Sequence, residues 1–319
     1  MSAGGFAGII GTAHPPPLPE MTRLPTRRPA RAARLLCAAT ALLLAACAAT
    51  PRAGPAKVAL VIGNAAYENA PALANPANDA ADMCEALRRA GFRTLCHTNL
   101  RDRADFEARV AEYAGLLDAN AVGVVHYSGH GVQAGGANYL IPTRVQPASA
   151  ADDPRRVLYA VDDLFARIGK ARAQFQLVIL DACRADLFGA PPAAAGRGVD
   201  ATRSPLMRAL AAVPRAGSGL QPIQDAPPAT LVLYATAARD VAFDGEGRNG
   251  PLTKHILAHI GTRGLYVEEF LKRVIVGVER ETLKDYRKRQ TPFVYGSFGG
   301  RYCFAGCPGE RDVAVPPAF

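Results

Sequence analysis

The stretch QLVILDACR, residues Gln176 to Arg184, decides the fold. Its apolar run from Leu177 to Leu180 is typical of a strand that is buried on both faces of a sheet. The run ends in an acid, a thiol and a base, at Asp181, Cys183 and Arg184. Ligands of open α/β sheets bind at the carboxyl ends of the strands. The stretch therefore indicates a core strand with reactive side chains at its tip.

Similar apolar runs alternate with amphipathic segments along most of the chain. We predict further strands at 58–63 (VALVIG), 92–97, 121–127 (AVGVVHY), 229–237 (ATLVLYATA) and 291–298 (TPFVYGSF). Helical periodicity lies between them, as after Asn75-Pro76, where Asn is a preferred N-cap and Pro suits the first helical position. This alternation predicts an α/β fold, with a mostly parallel six-stranded sheet covered by helices on both faces.

The composition indicates a globular protein, with 49% apolar and 20% charged residues. The formal net charge of +9 depends partly on residues 1–46, which contain five Arg and one Glu, so that the rest of the chain carries +5. No Lys/Arg run interleaves with aromatic residues. We therefore expect no nucleic-acid partner.

The N-terminal region has the pattern of an export signal. Basic residues between Arg27 and Arg34 precede the apolar stretch Leu35 to Cys47 (LLCAATALLLAAC). This stretch is too short to span a bilayer and has the length of a signal-peptide core. An ordinary secretory signal is one interpretation. The residues Leu44-Ala45-Ala46-Cys47 favour another, because they resemble the lipobox of bacterial lipoproteins, in which the cysteine receives the lipid.

We therefore expect a signal region over 1–46, with translation starting at Met21, and a lipid anchor on Cys47. This implies an exported protein on the periplasmic face of a bacterial membrane. Ala48 is not the Asp that is associated with inner-membrane retention, which favours the outer membrane.

The seven cysteines include Cys37 in the apolar stretch and Cys47 in the lipobox. The other five are Cys84, Cys96, Cys183, Cys303 and Cys307. Cysteines of exported proteins are expected in pairs. Parity and spacing predict Cys84–Cys96 and Cys303–Cys307 disulfides, which leaves Cys183 free.

A histidine completes the reactive pair. The predicted strand 121–127 is followed by SGHG, which puts His130 just beyond its tip. If this strand neighbours the one before Cys183, imidazole and thiol face the same crevice, and a thiol needs such a base to form the reactive thiolate. The amides of Gly131 and Cys183 are then suited to donate to a developing oxyanion.

Simpler interpretations exist for each residue alone. A single strand cysteine is usually inert, and a histidine in a Gly-rich loop is usually a polar loop residue. A metal site is not expected, because His126 and His130 lack a third ligand at a sensible spacing and Cys303 with Cys307 lacks a second ligand pair. Two reactive groups at neighbouring strand tips favour catalysis.

HYSGHG at 126–131 and LDACR at 180–184 together resemble the His and Cys motifs of caspase-like peptidases. In the caspase pattern the His lies about 50 residues before the Cys, and here the separation is 53. The resemblance covers Lys57 to Phe304 and is to the bacterial metacaspase- and paracaspase-like branch. It implies a three-layer caspase-like sandwich and a cysteine endopeptidase with Cys183 as nucleophile and His130 as acid/base.

The resemblance also implies a domain organisation. We expect a tether over 47–56, a peptidase domain over 57–305 and a tail over 306–319. The peptidase domain would divide into a larger part (57–188), a linker (189–229) and a smaller part (230–305). The linker contains Arg197, Arg203, Arg208 and Arg215, which makes self-cleavage there an expectation.

Three acids fall on positions that line the specificity pocket in relatives that cleave after basic residues. These are Asp79, Asp181 and Asp244, and they imply recognition of Arg or Lys in protein or peptide substrates. Local alternatives are a first-turn helix acid for Asp79, a strand-end cap for Asp181 and a turn residue for Asp244. Arg239 departs from the pattern of the relatives and could crowd the pocket.

Two other classes of protein stay open: a catalytically silent, lipid-anchored scaffold, and a different thiol-dependent amide hydrolase. No cofactor is expected. The sequence decides neither a calcium requirement nor the oligomeric state.

Overall fold

Six strands in one row form the central sheet of the computed structural model. The structure describes residues 55–134, 136–183, 204–211, 220, 226–236, 242–308 and 313–314, and covers only the backbone at 151, 183, 207, 211, 313 and 314. The strands are β1 Lys57–Gly63, β2 Arg93–Thr98, β3 Val122–Ala134, β4 Ala137–Leu140, β5 Tyr159–Ala160, β6 Phe175–Cys183, β7 Thr230–Tyr234, β8 Phe293–Gly296, β9 Arg301–Tyr302 and β10 Val313–Ala314.

The row has the order β2-β1-β3-β6-β7-β8, in which the first five strands are parallel and β8 is antiparallel to β7. β4 and β5 extend it from β3 as short antiparallel strands, and β9 pairs with β10 in a separate sheet. The predicted α/β class with a mostly parallel six-stranded row is confirmed.

Helices cover both faces of this sheet. They are α1 Pro76–Arg89, α2 Arg103–Ala114, α3 Pro147–Asp152, α4 Pro154–Val157, α5 Val161–Ile168, α6 Pro205–Ala211, α7 Pro251–Ile260 and α8 Val267–Tyr286. Strand β1 shows how the layers form, because Ala59 and Val61 pack with α1, α7 and α8, whereas Leu60 and Ile62 pack with α2 and α5. Side chains that alternate between the two faces of a strand thus contribute to two separate cores.

Strand β3 continues seven residues beyond the predicted end at Tyr127. Its extension pairs with β4 through Gly131 opposite Leu140 and Val132 opposite Tyr139. His130 therefore lies within a strand, and not in a loop beyond it. The physical reason is that the antiparallel pairing with β4 satisfies backbone groups that a loop would leave to solvent.

One local expectation needs correction. Asn75 precedes α1 but makes no side-chain capping bond, and its backbone is helical where a capping residue is normally extended. Its side-chain amide donates to the backbone oxygen of Asp244. Within the expected linker over 189–229, the described residues include the helix α6, whose Leu206 and Leu210 are buried. Arg208 lies in this helix, whereas Arg197, Arg203 and Arg215 lie outside the described residues.

Cys84 and Cys96 form a disulfide between α1 and β2, with Cα atoms 6.2 Å apart. Cys303 and Cys307 form a second disulfide near the end of the domain, with Cα atoms 5.3 Å apart. Both distances lie within the usual range for disulfides. Within the described ranges, no helix combines the length and the apolar character that crossing a membrane requires.

The longer of the two disulfide loops should stabilise the domain more. Cys84 and Cys96 are 12 residues apart, whereas Cys303 and Cys307 are only four apart, and the restriction of the unfolded chain grows with loop length. Replacing Cys84 and Cys96 together by Ala should lower the free energy of unfolding by about 2–4 kcal/mol, measured by guanidinium denaturation. The matched control replaces Cys303 and Cys307, and a loss in the control as large as that in the first variant would contradict this account.

Candidate active site

The two predicted reactive residues lie on adjacent parallel strands. In the register of β3 and β6, His130 lies opposite Cys183 and Ser128 lies opposite Asp181. Both pairs are at the carboxyl end of the parallel pairing of β3 with β6, and ligands of open α/β sheets bind at the carboxyl ends of the parallel strands. The backbone thus brings His130 and Cys183 together, while the thiol of Cys183 lies outside the described side chains.

The His130 side chain is almost fully buried, at 9% exposure. Its Nε2 lies 2.8 Å from the carbonyl oxygen of Pro71. A carbonyl can only accept, so Nε2 carries the hydrogen and Nδ1 keeps a lone pair. Burial lowers the pKa of His130 to about 4, although the bond to Pro71 acts in the opposite direction. The imidazole is therefore neutral at pH 7, with Nδ1 able to accept a proton.

Two tyrosines fix the backbone of His130. The Tyr67 hydroxyl accepts from the His130 amide at 2.8 Å, and the Tyr127 hydroxyl donates to the His130 carbonyl at 2.7 Å. The rings of Tyr67 and His130 are also in contact, with centroids 4.5 Å apart. A Cβ on Gly129 would lie 2.7 Å from both hydroxyl oxygens. Only glycine therefore fits at 129 without displacing the tyrosines.

The backbone amide of Gly131 faces the strand that carries Cys183. The Ile141 amide donates to the His130 carbonyl. The backbone of His130 therefore bonds toward the side of β3 on which β4 lies. Hydrogen-bonding residues alternate along an antiparallel ladder, so the Gly131 amide faces the β6 side. A Cβ at Gly131 would lie 3.0 Å from the Cβ of Ala182, the residue before Cys183.

The three predicted pocket acids come together beside this pair. A Cβ built on Gly250 would lie 3.6 Å from Oδ2 of Asp79, 3.7 Å from Oδ2 of Asp181 and 3.7 Å from the carbonyl oxygen of Asp244. The three residues come from α1, from β6 and from the loop before α7. Gly250 leaves open the space that a side chain would fill between them.

Asp79 is the most deeply buried of the three, at 2% exposure. Its Oδ1 accepts from the Gly250 amide at 3.1 Å and from the Asn249 side chain at 3.2 Å, and its Oδ2 accepts from Ser128 at 2.9 Å. Asp181 and Asp244 are partly exposed. Asp181 accepts from the Thr253 hydroxyl at 2.8 Å, and Asp244 accepts from the Ala74 amide at 3.2 Å.

The acids oppose one another electrostatically. Burial raises the pKa of Asp79 and of Asp181 well above the ordinary range. The charge of Asp244 adds to this effect at both residues, and the charge of Asp79 adds to it at Asp181. Burial also raises the pKa of Asp244. Hydrogen bonds from Ser128, Asn249 and Gly250 to Asp79 and from Thr253 to Asp181 act in the opposite direction, and the positive end of the α7 dipole adds to them.

Several site residues were not predicted from the sequence. Ser128 lies two residues before His130, and His126 lies two residues before Ser128. Because side chains alternate along a strand, this spacing could have shown that both share a face of β3 with His130. Pro71, Tyr67 and Thr253 reach the site only through long-range packing. Arg239 and Cys47 lie outside the described residues. Of the side chains that the structure describes, no three His, Cys, Asp or Glu residues are grouped to hold a metal.

Comparisons with known proteins identify the family. The family model of the caspase domain matches residues 56–301. Human mucosa-associated lymphoid tissue lymphoma translocation protein 1 is 28% identical over 130 residues, and its mouse homologue is 27% identical over the same length. These matches cover 40% of this chain and only 15% of each relative. The crystal structure of caspase-1 from Spodoptera frugiperda superposes with a TM-score of 0.54 at 12% identity, over 79% of this chain and 92% of caspase-1.

The fold and the arrangement of the site define a caspase-like α/β sandwich. Because the family model matches most of the chain, the protein belongs to the caspase domain family, a family of cysteine-type peptidases. The predicted family and the predicted caspase-like fold are confirmed.

The raised pKa of Asp181 leads to a prediction about stability. A group whose pKa is higher in the folded state favours folding below its unfolded pKa, near 4 for Asp, and this contribution is lost as the pH rises toward the folded value. The free energy of unfolding of the wild type should therefore fall relative to that of Asp181→Asn as the pH rises from about 4 to neutral. Denaturant titrations across this pH range measure the difference.

Asp82→Asn is the matched control, because Arg248 lowers the pKa of Asp82. Ionised Asp82 favours folding above its unfolded pKa. Its replacement should therefore lower the free energy of unfolding at neutral pH, and the difference from the wild type should depend on pH in the opposite direction. A pH-independent difference between the wild type and Asp181→Asn would contradict the assigned charge environment.

Proposed function

We propose that this protein is a cysteine endopeptidase that cleaves after Arg or Lys, with Cys183 as nucleophile and His130 as acid/base. The observation that carries the proposal is the register of β3 and β6, which brings His130 opposite Cys183 beside the cluster of Asp79, Asp181 and Asp244. The dyad supplies the chemistry, and the acids supply selectivity.

The tautomer of His130 supports a role in proton transfer, because Nδ1 keeps a lone pair. The neutral imidazole takes the Cys183 thiol proton, and the thiolate then attacks the scissile carbonyl. Amides of Gly131 and Cys183 stabilise the oxyanion. His130 returns the proton to the leaving amine, and water attacks the resulting thioester with His130 again acting as base. The Pro71 carbonyl holds the ring in orientation and stabilises its transient charge.

The acids would divide the work of binding a basic side chain. Asp79 uses both carboxylate oxygens to hold Ser128 and the start of α7, so it fixes the shape and charge of the pocket. Asp181 and Asp244, which are partly exposed, are placed to meet a guanidinium or an ammonium group. A substrate cation would remove the unfavourable repulsion among the three acids. The absence of a side chain at Gly250 leaves room for it.

The substrates would be exported proteins or peptides. Two disulfides among the described cysteines support an oxidising compartment. A lipid on Cys47 would then hold the enzyme on the periplasmic face of the membrane, with the outer membrane favoured.

Active-site labelling tests this proposal. Two electrophilic peptide probes of the same backbone, one ending in Arg and one in Asp, are compared with the wild type, Cys183→Ala and His130→Ala. The Arg probe should label Cys183 alone, at least about 30-fold faster than the Asp probe, because loss of buried charge pairing costs 2–5 kcal/mol. Cys183→Ala should stay unlabelled, and His130→Ala should react more slowly because its thiol lacks the base.

The outcomes separate the three classes of protein. Failure of both probes to label the correctly folded wild type would indicate a silent scaffold. Labelling of Cys183 with hydrolysis of small amides but not of peptides would indicate a different amide hydrolase. Equal rates with the Arg and Asp probes would overturn the proposed selectivity.

A further inference from the structure

A hydroxyl in the first turn of α7 connects the acid pocket to a second buried histidine. Thr253 donates to Oδ2 of Asp181 at 2.8 Å, and its oxygen lies 3.1 Å from Nε2 of His126. Both Thr253 and His126 are fully buried, at 0% exposure. A hydroxyl has a single proton, and when Asp181 is ionised its carboxylate can only accept, so that proton bonds to Asp181. The bond with His126 must therefore be one that Thr253 accepts, so Nε2 of His126 carries a hydrogen.

His126 has no part in the chemistry assigned to His130 and Cys183. It lies in β3 between β1 and β6, opposite Val61 and Ile179. Burial lowers its pKa to about 3, so it stays neutral. Within the described part of the chain, its Nδ1 has no hydrogen-bond partner. A buried polar group without a partner lowers stability, and its presence beside the pocket calls for an explanation.

We propose that His126 and Thr253 are positioning residues that orient the Asp181 carboxylate and favour its ionised form for the basic side chain of the substrate. This inference rests on the proposed function. It adds that His126 and Thr253 help to determine the preference for Arg or Lys. The two hydrogen bonds form a relay, in which the His126 N–H donates to Thr253 and the Thr253 O–H donates to Asp181. Aligned hydrogen bonds of this kind polarise one another and favour a negative charge at the accepting end.

The relay acts against the surroundings of Asp181. The Asp79 and Asp244 carboxylates and burial all disfavour the ionised form, and no described salt bridge involves Asp181. The Thr253 hydroxyl donates to Asp181 and, with its backbone amide, lowers the pKa. His126 keeps that hydroxyl in the donating orientation, because its own Nε2 hydrogen occupies the Thr253 oxygen.

The reversed relay is less favourable. If Asp181 were protonated and donated to Thr253, the hydroxyl would turn to donate to Nε2 of His126. The imidazole hydrogen would then lie on Nδ1, where no described group accepts it. Buried N–H groups without a partner are rare in native structures. The tautomer of His126 therefore reports the charge of Asp181, independently of any catalytic turnover.

Steady-state kinetics with peptides that differ only in Arg or Gln before the scissile bond test the relay. Thr253→Val keeps the shape of the side chain and removes the hydroxyl. It should raise KM for the Arg peptide roughly ten- to hundredfold, the range expected for a hydrogen bond to a charged group, with a smaller effect on kcat. Its preference for Arg over Gln should fall by a similar factor, and Thr253→Ser should restore most of it.

Thr230→Val is the matched control. Thr230 is equally buried and donates to the carbonyl of Pro228, at the opposite end of the sheet from the site. It should leave KM and the preference for Arg unchanged. His126→Phe provides a second route if Thr253→Val does not fold, because it keeps a ring of similar size and removes the donor. It should shift KM for the Arg peptide in the same direction.

Nitrogen-15 NMR of the histidines in the full chain gives the readout that does not depend on activity. At about pH 8, above the raised pKa of Asp181 of about 7, His126 should carry its hydrogen on Nε2, and Thr253→Val should change that signal while Thr230→Val should not. A wild type that does not prefer Arg or Lys peptides would refute the proposed function, whatever the NMR result. If the wild type does prefer Arg or Lys peptides, two results would overturn the relay alone. One is an unchanged KM and preference in folded Thr253→Val, and the other is an Nδ1–H tautomer of His126.

Discussion

The parallel pairing of β3 with β6 is the constraint on which the rest of this structure depends. One register places His130 opposite Cys183 and Ser128 opposite Asp181. A shift of one residue would turn every side chain of one strand to the other face of the sheet. The apolar residues that fix the register, such as Val124 and Leu177 in the core beneath α1 and α7, therefore also fix the geometry of the site.

The site places charge where the fold disfavours it. The three acids are held near one another by hydrogen bonds that come mostly from neutral donors, and their raised pKa values show that these bonds do not fully compensate for burial. An isolated structural cluster would gain stability by losing one of these acids. Retaining all three is understandable if a cation completes the site during function. The raised pKa values at the carboxyl ends of the strands also match the general tendency of functional sites.

The elements and the reactive residues could be predicted from the sequence because they depend on local pattern. Apolar runs indicated β1, β3 and β6, and the positions of His130 and Cys183 after two of these strands indicated a shared crevice. The spacing of HYSGHG and LDACR added the resemblance to the caspase-like family. The extension of β3 could not be predicted, because Gly129 and Gly131 resemble a loop until β6 pairs with Gly129 and β4 pairs with Gly131. The capping role expected of Asn75 failed because its backbone is helical and not extended, and its side-chain amide contacts a carbonyl 169 residues away. Tyr67, Pro71 and Thr253 reach the site only through tertiary packing.

The most direct test of the account is the residue preference before the scissile bond, read by mass spectrometry from a library of peptides digested with the wild-type protein and with Cys183→Ala. The account predicts that cleavages present only in the wild-type digest follow Arg or Lys and avoid Asp and Glu. Cleavage after acidic residues, or the same cleavages in the Cys183→Ala digest, would contradict it.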